Sequence, residues 1–558
     1  MIQLRALISA CLFLSALVIS GQTIEDNLQF LKDNIGSVQG KKTEYQQTFS
    51  YDVNNNLLLS LVIVNTQKGE ERTRQVNALD LNPYQIQFDP HKEWVKITAG
   101  VYGGKRLVMV KEDGEVKHYD KQLEFYAPGI EQARKLTDAL KSVAQYAKDH
   151  IPDAVPVDNN MAVLLDALRT GITNVMVGGE TYAQSFNFDA QNNHIATFVL
   201  DGANGDKIER YTVNLSDINP HKIDFDTKRN KVVLPLTTKG GRKLIAYSEN
   251  GETGSYTHEL QLLTATVEQA RLLAAQTKAL VHLAESRATE DYTTYNYEKC
   301  VQVLNHEVGD VVINQDAYEQ VFAIQANNGS VFTYSVVDVS EGEKKEFTVN
   351  AADLGKIPAT YDTNKNSVFV KLAVAGDRDL VLEKTDGTKS DYKSSLKIRA
   401  PDIETARRLA GVFTRFTALA LEKMNAEIAF ASVVEARTYV LENIGEVVVD
   451  TDTYRQTMAQ KSEDDCLYSL NVEDISDDKR FEYQFNLKDV DANKIQFLTQ
   501  KGEALLTLAI KGGKDLVQVF ENGEADKFTH EVFIKTLDLE QARRLMTGLR
   551  MMADACNP

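Results

Sequence analysis

The chain has 558 residues, of which 43% are hydrophobic and 25% charged, with a formal net charge of −18. Length alone suggests three to five domains with ordinary cores. The acidic excess is spread along the chain and repels nucleic-acid phosphates and anionic membrane surfaces, which excludes both as non-specific partners.

Residues 1–21 carry one early positive charge, Arg5, then an apolar run over residues 6–19 and the small residues Ser20 and Gly21. This pattern reads as a secretory signal peptide cleaved just before Gln22. The run is too short for a comfortable membrane span. Cys11 lies inside it rather than at the cleavage point, so no lipidated N-terminus is read. A small residue followed by Gln resembles the signals of exported Bacteroidota proteins. Three cysteines remain beyond it, Cys300, Cys466 and Cys556. Their odd number leaves at least one thiol unpaired or paired with another chain, and three are too few for a disulfide framework.

Beyond the signal, one stretch occurs four times: GIEQARKL from Gly129, VEQARLL from Val267, IETARRL from Ile403 and LEQARRL from Leu539. Its glutamates, Glu131, Glu268, Glu404 and Glu540, are separated by 137, 136 and 136 residues. So even a period marks one unit copied four times. The expected repeats cover residues 23–149, 158–286, 295–424 and 428–556.

Each repeat opens with a short amphipathic helix. Leu28, Leu31 and Ile35 share one face in the first, with Gly36 placed to end it. Val301, Leu304, Val308 and Gly309 match in the third, and Tyr439, Val440, Ile444 and Gly445 in the fourth. The second is looser (Leu164, Leu168, Gly171), with two extra residues before its next landmark. About seven strands follow; in the first repeat they fall at 45–51, 57–65, 72–81, 85–89, 94–99, 106–111 and 117–126. Turn residues separate them, among them Asn54-Asn55-Asn56, Asn192-Asn193 and Asn327-Asn328-Gly329. Asp113-Gly114, Asn250-Gly251, Asp386-Gly387 and Asn522-Gly523 suit the positive φ angles of a tight hairpin, so the last two strands pair antiparallel. Asp80, Asp217, Asp353 and Asp489 each lie 51 residues before the glutamate of their own repeat, so this interval holds no insertion.

A closing helix ends each repeat. Ile403, Ala406, Leu409, Phe413 and Phe416 form its apolar stripe in the third, and Leu539, Ala542, Leu545, Leu549 and Met552 in the fourth. Thr266, Asp402 and Asp538 stand where an N-cap is expected. No glycine or proline occurs over residues 412–443, so the third closing helix is expected to run nearly into the fourth opening helix.

Seven antiparallel strands with a closing E-x-A-R-x-L helix resemble the pleckstrin-homology-like superfold, over each repeat except its opening helix. The resemblance implies an α+β fold whose strands form a partly open barrel plugged by the terminal helix. It argues against phosphoinositide binding, because the first inter-strand loops are asparagine-rich or acidic (Glu463, Asp464, Asp465) rather than basic.

Candidate chemistry is sparse. Glu131 and Arg134, with their three counterparts, are i, i+3 pairs that read as helical ion pairs aided by the helix dipole. Asp80 and its counterparts read as turn residues bonding their own backbone. Lys105, Arg242, Arg378 and Lys514 read as solvated turn cations, with an anion site as the sharper option. Asp362-Thr363-Asn364-Lys365-Asn366 imitates the start of a calcium loop but lacks its glycine and closing glutamate. The nine histidines do not recur at equivalent positions, and no catalytic-site, cofactor-binding or metal motif is present. The expectation is a non-enzymatic exported interaction or scaffold protein, periplasmic or extracellular, without cofactor and partnered by other envelope or extracellular proteins. The alternative is a binding protein for a small apolar or amphipathic ligand held in one barrel.

Overall fold

A computed structural model of the chain describes residues 23–557, except 42, 55–56, 153–154, 190–191, 193, 203–206, 288–289, 327, 388, 450–451, 462–465 and 501–502. The signal segment lies outside the described residues, as do Asn55, Asn56, Asn193, Asn327 and the acidic Glu463, Asp464 and Asp465. The chain divides into two compact units, Met1–Thr289 and Glu290–Pro558, each holding two repeats.

Every repeat has the same α+β plan. An opening helix (Ile24–Asn34, Met161–Gly171, Tyr297–Glu307, Val433–Asn443) precedes a six-stranded and a three-stranded antiparallel sheet. A closing helix follows: Ile130–His150, Val267–Arg287, Ile403–Glu427 and Leu539–Ala555. Nine strands therefore stand where about seven were expected, and they form two open sheets rather than one closed barrel. Two local causes account for the difference. A two-residue strand, Val38–Gln39, adds an edge to the first sheet. The expected last strand breaks at Lys121: Glu115–Asp120 ends the six-stranded sheet, and Gln122–Ala127 pairs with Val95–Val101 in the other. The hairpins before this break adopt the expected geometry, with φ of 51° at Asp113 and 82° at Gly114.

The opening helices end differently from the expectation. Ile35 leaves the first in extended conformation, with φ of −86°, and Gly36 takes no positive φ. The second repeat carries no extra residues there, since Thr173 occupies the place of Gly36. The third closing helix does not run into the fourth opening helix. It stops at Glu427, and Ser432 starts the next by accepting from the Glu435 amide at 3.2 Å. Glu435 in turn accepts from the Ala431 amide at 2.9 Å, so side-chain capping by Ser432 and Glu435 takes the place of a glycine as the breaking signal.

One buried glutamine holds the two sheets together in each repeat. Gln47 donates to the carbonyls of Gly36 and Tyr126 at 2.9 and 2.8 Å and accepts from the Tyr126 amide at 2.8 Å. Gln184, Gln320 and Gln456 bond Leu263, Arg399 and Lys535 in the same way, each reaching 79 residues along the chain. Truncating such a side chain would strand buried backbone groups, at about 1–3 kcal/mol each.

The cores fill the space between helices and sheets. In the third repeat Phe413 and Phe416 of the closing helix pack at 5.8–6.3 Å from Phe322 and Phe332, which themselves pair at 5.0 Å. Fully burying one such ring contributes about 1.5–3 kcal/mol. In the first unit the cores are not separate. Val232, Val267 and Ala270 of the second repeat belong to the cluster built on Leu31, Phe125 and Leu136 of the first.

A disulfide joins Cys466 to Cys556, tying the end of the last closing helix to the strand Leu467–Asp474 across 90 residues. Closing a loop of that length stabilises by about 2–4 kcal/mol. Cys300 is the free, buried thiol, and burial pushes its pKa up to about 11.

Candidate functional site

The recurring charged residues meet where one repeat packs on the next within a unit. The fourth strand of the first repeat, Glu70–Asn77, ends at Asn77, whose side chain accepts from the Leu79 amide at 2.9 Å. Asn214, Asn350 and Asn486 repeat this bond. The turn role expected of Asp80 thus belongs to the asparagine three residues earlier, and the aspartate is left facing outward from the turn.

What meets it is the next repeat's arginine. Arg271 donates from Nη2 to both carboxylate oxygens of Asp80 at 2.7 and 2.9 Å, 191 residues along the chain. In the second unit Arg543 donates to Asp353 at 2.7 Å across 190 residues, with both side chains buried. The helical ion pairs expected of these arginines form elsewhere: Arg134 with Glu131 at 2.8 Å, and Arg407 with Glu404 at 3.3 Å. Arg543 keeps a 3.7 Å contact to Glu540 beside its shorter bond to Asp353. Asp217 is buried too, and Asp489 is half-buried.

Aromatic rings complete each junction. The guanidinium of Arg271 lies 5.7 Å from the Phe225 ring centre, and that of Arg543 lies 5.4 Å from Phe497. Both arginine Nε atoms are buried without a hydrogen-bond partner among the described residues, and the aromatic ring offsets part of the cost of burying the cation. From the other side Lys105 and Arg378 approach the same two rings at 6.0 and 5.9 Å. Lys105 also pairs with Asp224 at 3.1 Å. Lys105, Arg378 and Lys514 are all exposed, as expected of solvated turn cations, but the first two also border the junction. Equivalent threonine hydroxyls finish the contact: Thr227 donates to the Arg106 carbonyl at 2.5 Å, and Thr499 to the Asp379 carbonyl at 2.6 Å.

Each junction holds two carboxylates around one guanidinium. Burial raises the pKa of Glu268, and the nearby Asp80 charge raises it further. Burial likewise raises Asp80, against the pull of Arg271. Glu540 is raised by burial as well, although it accepts from Asn350 Nδ2 at 2.8 Å.

In the first unit the junction also borders a cleft of about 490 Å³. Leu79, Val101, Leu107, Phe225 and Ala274 give it an apolar floor, and Lys105, Lys148 and Lys278 stand along it. This is not the helix-to-sheet cavity anticipated for a ligand. The calcium-like segment forms the hairpin turn between Thr360–Asn364 and Ser367–Ala373, with Lys365 at φ 52°. Among the described residues no group of three or more His, Cys, Asp or Glu is arranged to hold a metal. Among them also, no helix is long and apolar enough to cross a membrane.

Sequence reasoning missed the partner of each arginine and the four clamping glutamines. The glutamines obey the same 137, 136 and 136 spacing as the helix motif, and that was the available signal. Comparison with family models, curated proteins and solved structures yields no match to this chain.

The raised glutamates set a sign for pH dependence. A carboxyl whose folded pKa exceeds its unfolded value contributes stability below the unfolded value, and loses it as pH rises through the folded one. Thermal melting from acid to neutral pH should therefore show Glu268→Gln and Glu540→Gln gaining on the parent chain as pH rises past the ordinary glutamate value of 4.5. A difference independent of pH would contradict burial of these carboxyls.

Proposed function

We propose that the chain is a non-enzymatic exported interaction or scaffold protein, in which tandem repeats present long surfaces to other envelope or extracellular proteins. The observation that carries this reading is the use of the recurring polar residues. The Glu and Arg of the helix motif and the Asp of the strand turn are engaged with one another at the Asp80–Arg271 and Asp353–Arg543 junctions. In two of its four copies this set joins one repeat to the next, a structural use of these residues. Tandem units so joined suit binding along an extended face. The pleckstrin-homology-like relationship belongs to the proposal: a terminal helix packed on two antiparallel sheets supports it, and the open six-plus-three arrangement is a departure from its barrel. Crosslinking followed by pull-down from the native envelope fraction should recover one reproducible partner protein. Repeated recovery of this chain with no other protein would count against the reading.

A second reading follows from the cleft of about 490 Å³, whose apolar floor and lysines suit a small anionic amphiphile. A fluorescent long-chain fatty acid is the probe. Binding weakened about tenfold in Lys278→Glu, the worth of one charge-assisted contact, is the expected result. Absence of binding, or binding indifferent to that change, would remove it.

A further inference from the structure

The junction between repeats has two faces, of which one is exposed on the first repeat and the other on the fourth. The first face is the start of a closing helix. Val267 there is 5% exposed, whereas Ile130, at the same place in the first repeat, is 47% exposed. The Arg134 side chain is 56% exposed against 19% for Arg271 and 7% for Arg543. Glu131, with which it pairs, is itself exposed and lies one helical turn away.

The second face is the strand turn with the hairpin beside it. Leu107 and Leu380 are 7% and 3% exposed, but Leu516 in the fourth repeat is 47% exposed. Tyr119 and Tyr392 are 4% and 8% exposed, but Phe528 at their position is 60% exposed. Leu107 and Tyr119 line a small cavity with Val267 and Glu268, which identifies these positions as the ones a following helix covers. Asp489, the counterpart of Asp80 and Asp353, is correspondingly less buried than either.

We propose that the fourth repeat of one copy docks on the first repeat of a second copy, so that the chain associates head to tail through the junction it already uses twice internally. Arg134 turns from Glu131 to Asp489 of the neighbouring copy, and Ile130 packs on Leu516 and Phe528. Charge sign and apolar surface match on both sides. The two faces are different, so the contact is heterologous and propagates into rings or filaments rather than a symmetric dimer.

The contact is weaker than its internal versions for identifiable reasons. Pro90 stands in the first repeat where Thr227 and Thr499 donate to a carbonyl of the preceding repeat, and proline has no hydroxyl. Gln87 stands where Asp224 meets Lys105, so no second ion pair forms. Two copies of a chain carrying −18 also repel at a distance, a term largely screened within about 8 Å at physiological salt. Association is accordingly reversible and concentration-dependent.

The test uses the full chain in sedimentation velocity at physiological salt over a wide concentration series. The parent chain should shift to larger species as concentration rises. Arg134→Glu alone and Asp489→Arg alone should each stay monomeric. Mixed in equal amounts, the two variants should associate again, because one chain's altered head meets the other's altered tail with opposite charge. Both positions lie at the surface, and recovery on mixing shows that each variant is folded. A parent chain that stays monomeric throughout, or association unaffected by either change, would overturn the proposal. Association lost in both variants and not restored by mixing would overturn it too. These outcomes concern only self-association and leave the search for an envelope partner to be decided separately.

Discussion

A buried guanidinium held by the carboxylate of the preceding repeat is the constraint on which the arrangement of repeats depends. Taking an arginine and an aspartate out of water costs several kcal/mol per ion, and their attraction offsets that only with good geometry and further contacts. Here Arg543 has both, from the 2.7 Å bond to Asp353 and the face of Phe497. Arginine suits the place because its planar fork can bond an acid along its edge while an aromatic ring covers its face. Lysine offers no such plane. With a second carboxylate nearby, at Glu268 or Glu540, two acids share one buried guanidinium, and burial raises the pKa of that second acid.

The helix motif E-x-A-R-x-L can now be read letter by letter. Glutamate and arginine face the preceding repeat in the second and fourth copies. Alanine is fully buried in every copy, as Ala133, Ala270, Ala406 and Ala542. Leucine enters the core as Leu136, Leu273, Leu409 and Leu545. The residue after glutamate is glutamine in three copies, and Gln132, Gln269 and Gln541 each donate to the end of the opening helix 98 residues earlier. The third copy has Thr405 there, and Arg408 bonding Glu307 at 2.6 Å ties the same two helices instead.

Much of this was legible in the sequence, and the failures have physical causes. The fourfold period, the opening and closing helices and the Asp-Gly and Asn-Gly hairpins follow from apolar spacing and turn chemistry, which are local. Strand count failed at Lys121 because a strand that changes sheets keeps its alternation through the break. The helix stop after Glu427 is not visible from glycine and proline alone, because the next helix is started by Ser432 capping the Glu435 amide. Asp80 and Lys105 were assigned local roles because their partners, Arg271 and Asp224, lie more than a hundred residues away. Only the matching period of the Asp and Arg positions hinted that they belong together, and a period cannot tell a bond within a repeat from a bond between repeats.

The most direct measurement is a double-mutant cycle on Asp353 and Arg543 by urea denaturation, with Asp353→Asn, Arg543→Met and the pair combined. Each single change should cost about 3–5 kcal/mol by leaving one buried charge alone, and the combination should cost well below their sum. Costs that simply add would mean that the two side chains do not bond in the folded chain, and the account of how the repeats are joined would be contradicted.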